Sequence, residues 1–239
     1  MSYTIVSGDS FWSIAQAHGT TVAAIEAANP GVNPSSLQVG QVINLPGGGS
    51  SAPSNGGGSS VGGGYVAYSG PASNFPDPST WASYDTLWSQ NSTLMALNDS
   101  PSEVGFIKAA IDQVAPESGI DARAILCVIM QESGGNVRVG TTNNGVGNPG
   151  IMQSHAGVAF NASDPQGSIL QMVRDGTEGT ASGDGLKQLY ARYNNYYEAF
   201  RGYNSGSVDQ NDLNDPVGAT ATYVQSVANR LMGHQWSGM

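Results

Sequence analysis

Glu132 closes an apolar stretch, Ala122 to Met130, in which every residue but Arg123 is apolar. Such a run reads as a helix hydrophobic on nearly all sides, and so as the buried central element of its domain. A carboxylate at the C-terminal end of that helix is poorly solvated and faces the negative end of the helix macrodipole. Both effects favour the protonated form. A carboxylic acid that stays protonated near working pH is what glycosidic cleavage needs to donate a proton to the leaving oxygen. Taken alone, the same glutamate fits equally well a helix end that emerges into solvent.

Other reactive groups give less. Cys127 lies inside the apolar helix and reads as an inert buried thiol, which argues against a cysteine peptidase. The histidines His18, His155 and His234 are isolated, with no metal-ligand spacing, so neither a metal nor a cofactor is expected. The glycine tracts lack a phosphate-cradling pattern. Acidic residues cluster later, at Asp164, Asp175, Glu178 and Asp184. Asp164 precedes a proline and reads as a helix cap; Asp175, Glu178 and Asp184 are candidate bases.

The surroundings of Glu132 are more specific. Gln131-Glu132-Ser133-Gly134-Gly135-Asn136, then Gly150-Ile151-Met152-Gln153-Ser154, then Tyr203-Asn204-Ser205-Gly206 follow one another in an order that resembles goose-type lysozymes and soluble lytic transglycosylases. Tyr223 and Ala228-Asn229-Arg230-Leu231 are similar to that family's final helix, so the resemblance spans about residues 100–233. It implies an α-helical lysozyme-like fold that cuts the β-1,4 bond between N-acetylmuramic acid and N-acetylglucosamine. Glu132 then matches the catalytic glutamate. Ser133, Gly150, Ile151, Met152, Gln153, Tyr203 and Asn204 match the substrate-binding cleft, with Tyr203 placed to hydrogen-bond Glu132. Packing between helices fits Tyr203 as well. Where goose-type lysozymes place an aspartate two residues beyond the Met-Gln pair, this chain has Ser154 and His155, so no second carboxylate is assigned by motif. A base from the 164–184 tract makes hydrolysis the expected outcome. The alternatives are a lytic transglycosylase forming 1,6-anhydromuramyl products and a chitin-cleaving enzyme of the same fold.

The elements that must position these residues are mainly helical. Ser100-Pro101-Ser102-Glu103 has a capping serine, a proline in the first turn and a glutamate at the capping-box position. It predicts a helix to about Glu117 that stops at Gly119. Asp121 caps the next, expected to continue through Ser133. Further helices are predicted after Asp164-Pro165, across Gly185 to Arg192, across Asn195 to Tyr203 and from Asp215 to Leu231. Trp81, Tyr84 and Trp88 recur at helical spacing, which reads as core more readily than as a sugar platform.

Residues 47–64 are almost entirely Gly, Ser, Ala, Pro and Asn and form a flexible linker, spanning about 20–25 Å as a random coil. Ahead of it, Tyr3 to Val6 and Val42 to Leu45 read as strands flanking two helices, the second ended by Asn29-Pro30-Gly31. With Gly8-Asp9-Ser10-Phe11-Trp12-Ser13-Ile14-Ala15 and Leu37 to Pro46, this layout resembles the lysin motif, LysM, over residues 3–46. The resemblance implies binding of N-acetylglucosamine polymers, peptidoglycan or chitin, through Gly8, Asp9, Ser10, Phe11, Pro30, Gly31 and Val32; for Asp9, helix capping is an equal reading. The expected organisation is a βααβ LysM domain (α+β) at 1–46, the linker at 47–64 and a mainly α lysozyme-like domain at 65–239.

Eight Lys and Arg stand against eighteen Asp and Glu, a formal charge of -10. That field disfavours nucleic acid and anionic membranes as partners, and recruits the chain to no acidic wall polymer. Recruitment must come from neutral-sugar contacts. No membrane-spanning run and no signal peptide is visible in this chain, and a secreted monomer is expected.

Overall fold

The computed structural model describes residues 2–5, 14, 25, 28–32, 38, 40–45 and 65–235. The linker 47–64, both predicted LysM helices in large part, and Gly8, Asp9, Ser10 and Phe11 lie outside the described residues. The chain divides into two compact units, Met1–Ser60 and Val61–Ser237.

In the first unit, β1 (Ser2–Thr4) and β2 (Val42–Asn44) pair antiparallel with Tyr3 opposite Ile43. Alternation along β2 turns Ile43 inward and leaves Val42 and Asn44 exposed. Ile43 joins Ile5, Ile14, Ile25 and Leu45 in a small apolar core, with Tyr3 and Val32 packed against it. Buried Asn29 ties the segments together. Its amide nitrogen donates to the carbonyls of Ile25 (2.7 Å) and Asn44 (2.8 Å), and its oxygen accepts from the Asn44 N–H (2.7 Å).

The second unit is a helical domain. α1 (Tyr84–Met95) is capped by Ser83, and α2 (Pro101–Ser118) opens on the predicted capping box and stops at Gly119. α2 buries Val104, Ile107, Ile111 and Val114, one face at i, i+3, i+7 and i+10 spacing. α3 (Ala122–Glu132), capped by the Asp121 carboxylate, has every residue from Ala124 to Met130 buried. It ends one residue earlier than expected, because Ser133 leaves the helical conformation. A short hairpin, β3 (Thr142–Asn143) and β4 (Gly147–Asn148), follows. Then come α4 (Pro165–Glu178), α5 (Leu186–Tyr193), α6 (Tyr196–Ser205) and α7 (Tyr223–Leu231). α3 packs against α1, α2 and α7, while α2 lies along α4 and α5 along α6. Each fully buried Leu or Ile in this core contributes roughly 1.5–3 kcal/mol.

The predicted aromatic stripe is core. Trp81 is buried and its indole N–H donates to the Tyr197 hydroxyl (2.8 Å). Tyr84 and Trp88 pack against the core beneath the Lys108 ammonium. Residues 65–68 run back over α7, where Asn229 exchanges hydrogen bonds with both backbone groups of Val66 (2.8 Å each).

The last helix is much shorter than the sequence suggests. The predicted helix from Asp215 begins only at Tyr223. Val217 and Gly218 take left-handed backbone angles, φ +44° and +91°. The carbonyls of Leu213 and Thr220 accept from the Arg201 guanidinium (3.4 and 3.0 Å). With Arg201 satisfying those carbonyls, the segment runs as an open loop.

Candidate active site

Glu132 is the last residue of α3, where the buried helix delivers its side chain to the edge of a cavity of about 710 Å³. The Tyr223 hydroxyl, from the first turn of α7, donates to Glu132 Oε1 at 2.6 Å. Burial pushes the carboxyl up to about 7, with the Tyr223 hydrogen bond pulling partly against it. Near neutrality the group is therefore balanced between acid and carboxylate, as a proton donor and acceptor must be. Burial and the adjacent Glu132 hold the Tyr223 hydroxyl well above its ordinary value, so it remains a donor.

Just past α3, the buried Ser133 hydroxyl donates to the carbonyls of Ile151 (2.8 Å) and Ile129 (3.1 Å) and accepts from the Gly135 N–H (3.1 Å). It thereby ties the Gly150–Gln153 turn to the end of the Glu132 helix. Gly150 has φ +82°, and a Cβ there would sit 2.7 Å from the Val158 carbonyl, so a larger residue is excluded twice over. Ile151 and Met152 are fully buried. Ser133, Gly150, Ile151 and Met152, expected in the substrate-binding cleft, are buried and are not among the residues lining the cavity, whose adjoining turn they hold in place. Gln153, at φ +47°, does line the cavity. Its amide bridges the turn to the approach to β3, donating to Gly140 O (3.2 Å) and accepting from Thr142 N (3.2 Å).

The rest of the lining is polar and mostly neutral. The hairpin supplies Thr142, Asn143, Asn144 and Asn148, the following turn Ser154 and His155, and the loop before α7 Val217 to Thr220. Tyr203 and Asn204 line it from α6, as expected. Tyr203, however, does not hold Glu132. Its hydroxyl donates to the Met152 carbonyl (2.8 Å), so it braces the turn, and the hydroxyl that reaches Glu132 is that of Tyr223. The Asn204 carbonyl oxygen accepts from the Thr220 N–H (3.1 Å) and from Arg201, joining α6 to the loop.

The candidate bases separate. Asp175 lines the cavity but is buried, one oxygen accepting from the Val158 N–H (2.8 Å) and the other from the Gln171 amide (2.7 Å). Asp184 lines it in an ion pair with Arg192 (2.6 Å). Glu178 lies off the cavity wall, 3.5 Å from Lys187. Asp164 caps α4. In the LysM unit, Pro30 and Gly31 form an exposed turn, whereas Val32 is half-buried against the small core.

Sequence reading missed Tyr223 and Arg201 as parts of the site. The signal for Tyr223 is a tyrosine within the predicted last helix, since a buried hydroxyl requires a partner. The hairpin was signalled by Asn144-Gly145 between short polar strands. Replacing Tyr223 by phenylalanine removes a hydrogen bond that favours the charged carboxyl. The Glu132 pKa should rise, and the high-pH fall of kcat/KM should move up by about one pH unit. A pH–rate profile superimposable on wild type would reduce Tyr223 to a packing role.

A mainly helical domain holding one carboxyl at the end of its central helix, beside a polar cavity, has lysozyme-like architecture. Residues 109–225 match the transglycosylase SLT domain, and residues 3–46 match the LysM domain. The chain thus carries a LysM module followed by an SLT transglycosylase module. LysM domains bind N-acetylglucosamine polymers such as chitin and peptidoglycan.

Similar curated proteins match over 44 or 45 residues, about the length of the LysM module. The secreted LysM effector ELP2 of Colletotrichum higginsianum is 53% identical over 45 residues, covering 19% of this chain and 26% of that protein. Intracellular hyphae protein 1 of Colletotrichum lindemuthianum is 52% identical over 44 residues, covering 18% and 19%. The chain thus spans about a quarter or less of the length of these relatives. A crystal structure of the LysM domain from Volvox carteri chitinase is 65% identical over 19% of this chain and 94% of that one, with a TM-score of 0.19.

Proposed function

We propose that the chain cleaves the β-1,4 bond between N-acetylmuramic acid and N-acetylglucosamine in peptidoglycan, with Glu132 as the proton donor and its LysM module holding the enzyme on the wall. The observation that carries this reading is the Glu132 carboxyl, held by Tyr223 at a polar cavity and protonated in part near neutrality. Protonated Glu132 gives its proton to the glycosidic oxygen as the bond to the muramyl carbon breaks. The resulting carboxylate then accepts the proton of the muramyl C6 hydroxyl, whose oxygen closes on that carbon. The products are a free N-acetylglucosamine end and a 1,6-anhydromuramyl end, with no water consumed.

This closing step is preferred to hydrolysis because the other cavity acids are engaged. Asp175 secures the Val158 backbone and Gln171, and Asp184 is paired with Arg192. Hydrolysis with a second carboxylate needs that group free to activate water about 6.5–9.5 Å from the acid. Neutral amides and hydroxyls around the cavity suit sugar hydroxyls and acetamido groups, and action outside the cell accords with a wall substrate.

Mass spectrometry of the soluble fragments released from purified peptidoglycan tests both halves. Anhydromuramyl ends, each lighter by one water than a reducing end, are expected. Reducing ends instead would make the enzyme a hydrolase and return Asp175 to the role of base. Fragments from colloidal chitin with none from peptidoglycan would change the substrate.

A further inference from the structure

We propose that the helical domain carries a second glycan-binding site, on the opposite side of α5 from the catalytic cavity, which takes a neutral stretch of the same polysaccharide strand. The inference rests on the function proposed above for its choice of ligand. The site is a cavity of about 470 Å³ between residues 72–78 and the α5–α6 junction, lined by Ser73, Phe75, Asp77, Tyr190, Asn194 and Tyr196 among others.

α5 lies between the two cavities. Leu189 and Arg192 line the catalytic cavity, whereas Tyr190 and the Asn194 cap line the second. At about 100° per residue, Leu189 and Arg192 fall on one side of the helix and Tyr190 on another. The separation is about one helix diameter, 10–12 Å. A strand of a few sugar rings covers that distance, so one polymer can reach both.

The chemistry selects a neutral sugar. The Tyr190 and Tyr196 rings are stacked, 4.3 Å between centroids, and Tyr190 is only half-buried. Such a platform suits the apolar C–H face of a pyranose. Asn194 is exposed beside it, and the Asp77 carboxylate lies in the same lining, so amide and carboxylate groups are at hand for ring hydroxyls. The lining carries no Lys or Arg among the described residues, which leaves an anionic ligand without a counter-charge.

Both walls are fixed in advance. The Tyr196 hydroxyl accepts from the Asp121 N–H (3.0 Å). The Tyr197 hydroxyl donates to the Pro76 carbonyl (2.6 Å) and pins the facing strap. A preorganised platform costs little ordering entropy on binding.

The test uses the full-length Glu132→Gln protein, which retains substrate uncut, with soluble glycan strands prepared from peptidoglycan, freed of peptide and with their muramyl carboxyls converted to neutral amides. Amide hydrogen exchange should slow in residues 142–155 at the catalytic cavity and also in residues 72–78 and 190–196. Adding Tyr190→Ala, or Ser73→Arg, which fills the cavity without removing a core group, should abolish the second protection and keep the first. Each should weaken strand binding about fivefold or more. Protection confined to 142–155, or second-cavity protection unchanged in both variants, overturns the second site and leaves the proposed function standing. Protection of 72–78 and 190–196 with none at 142–155 overturns the proposed function and leaves the second site. A proline-rich peptide that protects these segments where the glycan does not would make the cavity a peptide groove and overturn the proposal.

Discussion

Replacing Glu132 by glutamine should lower turnover on peptidoglycan by about two to four orders of magnitude, the range of a lost general acid. Glutamine keeps the volume and offers an amide oxygen to the Tyr223 hydroxyl, so the loss would isolate the proton. Retention of more than about a tenth of wild-type turnover would remove Glu132 from the mechanism. The same variant should be more stable than wild type in alkaline solution. Folding raises the Glu132 pKa from 4.5 to about 7, so the native state holds this proton more tightly than the unfolded chain. The associated stabilisation is complete below about pH 4.5 and is lost as pH rises through about 7. The ceiling on this loss is about 3 kcal/mol, and exposure of the group to the cavity reduces it. Glutamine has no charge to desolvate. Unfolding measured at pH 4 and pH 8 should therefore show the two proteins diverging only at pH 8; parallel curves would mean that the native carboxyl is well solvated.

The residues that carry chemistry were legible where local physics dictates them. Ser100, Pro101 and Glu103 can hardly do anything but start a helix, and Asp121 and Asp164 cap theirs as the sequence implies. An apolar run without a polar face had to be the centre of its domain, and Glu132 at its end was conspicuous for that reason. Long-range partnerships were not legible. Nothing local distinguishes Tyr203 from Tyr223 as the partner of Glu132, because the choice depends on which helix packs against α3, and that helix is α7. The same holds for Ser133 and Met152, which flank the site in sequence yet face inward, since a motif records proximity and not direction. The 215–222 segment failed as a helix for a similar reason. Its Thr220 carbonyl is satisfied by an arginine on a different element, which no periodicity within the segment reveals.

Arg201 should prove the most costly of these distant partners to remove. It is fully buried, and burial depresses its pKa from the ordinary arginine value. Its guanidinium donates to Leu213 O, Thr220 O, Asn204 Oδ1 and Ser205 Oγ. Methionine at this position fills similar space but donates nothing, leaving carbonyls of the loop before α7 without that donor. An unsatisfied buried polar group costs about 1–3 kcal/mol, so Arg201→Met should destabilise the domain by roughly 3–5 kcal/mol. Relief of the desolvated charge offsets part of this, which is why the simple sum over acceptors is not expected. The damage should also be functional, because Val217 to Thr220 form one wall of the cavity at Glu132 and Asn204 is held by the same guanidinium. At a temperature where the variant is still folded, KM should rise more than kcat falls, since the wall loosens while Glu132 and Tyr223 keep their contact. A loss of stability below about 1 kcal/mol in denaturant titration would mean that the loop carbonyls find water instead, and that Arg201 is not what holds the wall.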